Sequence, residues 1–98
     1  MLENEALIQI ASRAALAHLG ESVVESAFVQ PSLDSEGREA LRITIVIRPG
    51  KVGGLSGDKT LDTLYEIQRE LSLAGEGRLA IVEYATRKEL KQGAAAQS

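Results

Sequence analysis

The sequence predicts an α+β fold: a two-layer α/β sandwich in the order α-β-β-α-β, with a three-stranded sheet carrying both helices on one face. Three observations lead there. Apolar residues recur at helical spacing ahead of Gly20, they alternate along Leu41 to Ile47, and helical spacing returns from about Asp58 to Ala74 before a last branched run. A chain of 98 residues closes one hydrophobic core but not two. Residues 1–90 are therefore expected to form a single domain, and residues 91–98, KQGAAAQS, a disordered tail without bulky apolar periodicity.

The first helix is marked by Leu7, Ile8, Ala11, Ala14, Ala15 and Leu19, with Glu3 and Glu5 in its first turn and Gly20 past its end. Its alanines let it lie close against a sheet. His18, in the last turn, has no histidine or cysteine companion, so it reads as a surface or boundary residue rather than a ligand.

Past Gly20, VVESAFVQPSL and EALRITIVIRP are rich in branched residues and flank DSEG, Asp34 to Gly37, which predicts a hairpin. Pro31 has no N–H to give, so the first strand must bend, bulge or lie at an edge there. In the second strand Leu41, Ile43, Ile45 and Ile47 point to the core, and Arg42, Thr44, Val46 and Arg48 point away. RPGKVGGLSGD, with Pro49 and four glycines, reads as a mobile loop. The second helix turns Leu61, Leu64, Ile67, Leu71 and Ala74 inward, with Asp58 as its N-cap and Gly75 just past its end. Leu79 to Ala85 then forms a third strand, reached by a right-handed crossover. Its place beside the second strand or beside the first is left open.

Composition narrows the function. Aromatics are only 3% of the chain, so few stacking groups exist for bases or sugars. The absence of cysteine removes disulfides and thiolate metal sites, and a single histidine leaves no triad to assemble. A net charge of −3 disfavours non-specific attraction to nucleic acid or an anionic membrane. The first twenty residues lack a basic leader and no apolar run is long enough to span a bilayer, so a cytoplasmic location is expected, with no membrane contact and no cofactor.

The loop GGLSGDKT, Gly53 to Thr60, stands one residue away from a phosphate-binding loop, but Asp58 occupies the position of the glycine before the lysine. A carboxylate there repels phosphate where donors are needed, so no nucleotide is expected. GLSG is also a GXXG sequence, and together with the element order it resembles the type II KH arrangement, including that of the ribosome-binding factor A family. The resemblance implies an RNA-binding loop of Gly54, Leu55, Ser56 and Gly57, with Lys51 and Lys59 as phosphate contacts. A KH loop joins two helices, whereas here the residues before Gly54 leave no room for a helix.

Asp58, Asp62, Glu66 and Glu70 form an acidic ridge along the second helix, with Arg69 positioned to pair with Glu66. On a solvated helix face such carboxylates lack the burial that would separate their pKa values for acid and base work. The preferred expectation is a non-catalytic protein-protein interaction module, a small accessory or regulatory subunit of antitoxin-like or complex-stabilising type. Two helices cover one sheet face only, so Phe28, Val46, Val82 and Tyr84 are expected on the other, with Arg42 and Arg48 orienting a protein partner or a second copy.

Overall fold

The computed structural model describes residues 2–91 and has the predicted order: α1 (Asn4–Leu19), β1 (Val24–Leu33), β2 (Glu39–Ile47), α2 (Gly57–Leu73) and β3 (Leu79–Thr86). Two helical pieces are added. A 3-10 turn, Val52–Gly54, interrupts the glycine-rich loop, and residues 87–91 are helical directly after β3. Of the expected tail, Lys91 belongs to that helix and residues 92–98 lie outside the described residues.

The sheet runs in the order β1-β2-β3, with β1 antiparallel and β3 parallel to the central β2. This resolves the open position of the third strand: the β2-α2-β3 unit is a crossover between neighbours. Ala27 and Val29 of β1, Leu41, Ile43, Ile45 and Ile47 of β2 and Ala80 of β3 face one way and share a single core with α1 and α2. Both helices therefore lie over one face.

α1 buries Leu7, Ile10, Ala11, Ala14, Ala15 and Leu19, and its small alanines bring it close to β1 and α2. Gly20 ends it at φ 87°, a left-handed conformation that glycine adopts without steric cost. α2 is rotated relative to the expected inner stripe. Thr63, Ile67 and Leu71 are buried, Leu64 is half-buried, and Leu61 and Ala74 are exposed. A threonine can sit innermost because its hydroxyl donates to the Lys59 carbonyl at 2.8 Å, which leaves no buried polar atom unpaired. The N-cap is Ser56 and not Asp58: Ser56 Oγ accepts from the Lys59 N–H at 3.1 Å, while Asp58 lies in the first turn where its charge favours the helix dipole. The C-terminus of α2 follows the glycine expectation. Glu76 N–H reaches the Leu71 carbonyl and Gly75 N–H the Ser72 carbonyl, closing the helix in a Schellman turn with Gly75 at φ 87°.

The chain then enters β3 through a buried ion pair. The Glu76 carboxylate accepts from Arg78 Nε at 2.9 Å, from Arg78 Nη2 at 3.0 Å and from the backbone N–H groups of Arg78 and Leu2. These bonds, the Arg78 guanidinium foremost, hold its pKa at about 2, against an ordinary 4.5. The N-terminal end of the chain, the end of α2 and the start of β3 are thereby fastened at one point.

Candidate functional site

The sheet face turned away from the helices is built from alternate residues of the three strands. Phe28 lies beside Thr44 and Gln30 beside Arg42 on one side of β2, while Leu79, Ile81, Glu83 and Ala85 follow Ala40, Arg42, Thr44 and Val46 on the other. Apolar surface remains open here: Phe28 is 49% exposed and Leu79 51%, and Ile81 is half-buried. Arg42 stands among them, exposed, with no carboxylate within ion-pairing reach among the described residues. Glu83, the other charged residue of this face, is engaged, since Thr44 Oγ1 donates to its Oε1 at 3.0 Å.

Phe28 and Arg42 are thus where the alternation places them. Val46 shares that face without being open, and three other expected contacts lie elsewhere. Val46 points to this face but is only 1% exposed, flanked by Ser26 and Ala85. Nearby, the guanidinium of Arg87 pairs with Glu25 and draws the chain after β3 toward β1. Arg48 is held elsewhere: its Nε donates to the Glu21 carbonyl at 2.9 Å, in the turn between α1 and β1. Val82 and Tyr84 lie on the helix-bearing face, because the parallel register sets Val82 beside Ile43 and Tyr84 beside Ile45. The signal for this was in the sequence. Val82 and Tyr84 alternate with Glu83, and only by turning the Glu83 set outward does the strand keep a carboxylate out of the core. Leu79 and Ile81, which share that phase, were missed as open-face residues for the same reason.

On the covered side, Val82 and Tyr84 meet Gly57, Thr60, Leu61 and Leu64 of α2 around a shallow groove that opens at the outer edge of β3. The Tyr84 hydroxyl donates to the Thr60 carbonyl at 3.4 Å, and burial pushes its pKa up.

In the glycine-rich loop, GLSG joins the 3-10 turn, of which Gly54 is the last residue, to α2. Its residues have structural work. Leu55 packs against the core, Ser56 caps α2 and Gly57 is the first residue of that helix, which leaves Gly54, Lys51 and Lys59 as exposed neighbours without a common partner. The acidic ridge is partly engaged: Glu66 Oε1 lies 3.0 Å from His18 Nε2, linking α2 to α1, and Arg69 approaches Glu70 at 3.7 Å instead of Glu66. No group of three or more metal-ligating side chains converges among the described residues, and no helix among them is long and apolar enough to cross a membrane.

Comparison of the chain with protein-family profiles, with curated proteins and with solved structures gives no match.

Proposed function

We propose that the protein is a non-catalytic protein-binding module whose contact surface is the uncovered sheet face, centred on Arg42 with Ile81 beside it and Phe28 one pair further along the sheet. The observation that carries this reading is the pairing of open apolar side chains with an exposed guanidinium that has no carboxylate partner among the described residues. Full burial of an exposed apolar side chain contributes roughly 1.5 to 3 kcal/mol, of which the half-exposed Phe28 has about half still to gain, and aromatic and arginine side chains are the usual anchors of such contacts. The complementary partner is a protein segment that presents apolar side chains next to a carboxylate. Such a carboxylate would form a forked pair with Arg42 once water is excluded. The lone histidine is tied to Glu66 between the two helices, a placement that suits a scaffold.

The experiment is site-specific photo-crosslinking in the source cell, with the crosslinker at position 28 and, as control, at Tyr65 on the exposed side of α2. One protein captured from position 28, absent from position 65 and lost on Arg42→Glu, is the expected result. Equal capture from both positions, or capture insensitive to Arg42→Glu, overturns the reading. Salt-sensitive RNA capture that depends on Lys51 and Lys59 would move the function to the glycine-rich loop.

A further inference from the structure

We infer that the outer edge of β3 is a homodimer contact, at which a second copy of this chain pairs antiparallel to extend the sheet to six strands. This surface is distinct from the face centred on Arg42 and stands without it. β3 is an edge strand, LAIVEYAT, with no proline and one charged residue, and among the described residues no strand pairs with its outer side. An edge of this length and apolar character is a template for further pairing.

Three features favour a second copy as the occupant. The first is register. A two-fold axis at Val82 sets Val82 against itself, Ala80 against Tyr84, Ile81 against Glu83, and Arg78 against Thr86, so that no like charges stand opposite each other. Each tyrosine ring then faces the smallest side chain of the strand, and the large and small residues of the two copies fit in both directions. The second is the flank above the strand. α2 shows its charges upward and toward α1, while toward β3 it shows Leu61, Leu64 and Gln68, a side free of charge as interface centres are. Leu61 is 46% exposed there, next to the groove that ends at Tyr84.

The third is area. Eight residues of strand give an edge about 26 Å long. With the molecule's shortest dimension of 23 Å taken as its greatest height, that edge offers a flank of at most about 600 Å² per copy, or about 1,200 Å² for the pair, which reaches the lower limit of the range for specific complexes. The dimer keeps both helix layers on one side and joins the two uncovered faces into one continuous surface.

Sedimentation of the wild-type protein over a concentration series, together with single-cysteine variants of this cysteine-free chain, tests the contact. The expected results are a dimer forming in the micromolar range, and a Val82→Cys variant that oxidises to a disulfide-linked pair while Gln30→Cys on the opposite edge does not. Leu61→Lys, at an exposed helix position that folding tolerates, should weaken the dimer by about tenfold or more. A wild-type protein that stays monomeric throughout the series overturns the inference. So does a dimer in which Gln30→Cys crosslinks as readily as Val82→Cys, or one that Leu61→Lys leaves unchanged. Failure here leaves capture at position 28 unaffected, so the two readings fall separately.

Discussion

The two edges of the sheet are finished in opposite ways. β1 carries Pro31, which cannot donate to a neighbour, and a register shift between Val24 and Ser26 that bends the strand. Its Glu25 is paired with Arg87, from the segment after β3. β3 has no proline and no register shift; it is a largely apolar run with one charge, Glu83, and Gln68 Nε2 of α2 donates to its Ala80 carbonyl at 3.3 Å. Proline, bulges and charge are the means by which a protein keeps an edge from pairing. Proline and the register shift are thus found on the edge formed by the hairpin and not on the edge formed by the crossover, in keeping with the contact proposed for β3.

The edges also differ in how they are anchored, and the largest expected effect comes from that difference. β3 begins at the buried Glu76–Arg78 pair, whereas the start of β1 is held by the surface pair Glu25–Arg87. Glu76→Ala leaves a mostly buried guanidinium and the Leu2 N–H without their acceptor, and should cost about 3 kcal/mol in urea denaturation. Arg87→Ala should cost less than about 1 kcal/mol. Equal losses would erase the distinction. The acid dependence follows with a definite sign. Because the Glu76 pKa is depressed from 4.5 to about 2, its contribution is fully present above pH 4.5 and is lost as pH falls through about 2. Glu76→Gln should therefore flatten the stability profile between those limits.

A smaller effect is expected where α2 overhangs β3. Ser56→Ala removes the cap from the turn whose Thr60 carbonyl receives the Tyr84 hydroxyl, at a cost of about 1 kcal/mol. Amide exchange should quicken in the first turn of α2 and near Tyr84, with β1 unchanged. Faster exchange in β1 as well would mean that the edges are coupled and not independently secured.

Much of this architecture was legible from periodicity. The strict alternation of Leu41 to Ile47 fixed the central strand and its two faces, and Gly20 and Gly75 marked the helix ends where left-handed backbone was needed. The phase of β3 was not read, because Leu79 and Ile81 are as apolar as Val82 and Tyr84, and the one decisive residue, Glu83, lies in the middle of the run. Arg48 and Val46 are not open contacts for a different reason. Strand alternation gives a direction but not what stands in the way, and in the folded chain one meets the Glu21 carbonyl while the other is enclosed. On α2, Ile67 and Leu71 are inward as expected, while Leu61 and Ala74 are not and Thr63 is, because a polar threonine satisfied by its own backbone is an arrangement that hydrophobic spacing does not register. The Glu76–Arg78 pair left no sequence signal, since its burial comes from the meeting of Leu2 with the end of α2.

The smallest change in stability should accompany the most direct challenge to the contrast between the edges. Pro31→Thr restores an N–H and a branched side chain to β1 at a position already paired with Leu41, so the strand itself is not reshaped. Releasing the ring's constraint on the unfolded chain costs only about 0.4 to 1 kcal/mol. The consequence should appear in assembly. With β3 engaged in a dimer and β1 unblocked, each dimer has two further edges to offer, and sedimentation should reveal species larger than the dimer that rise with concentration. A variant that sediments like the wild type would show that the bulge and the Glu25–Arg87 pair guard β1 without the proline, and the difference between the two edges would then rest on their geometry and charge alone.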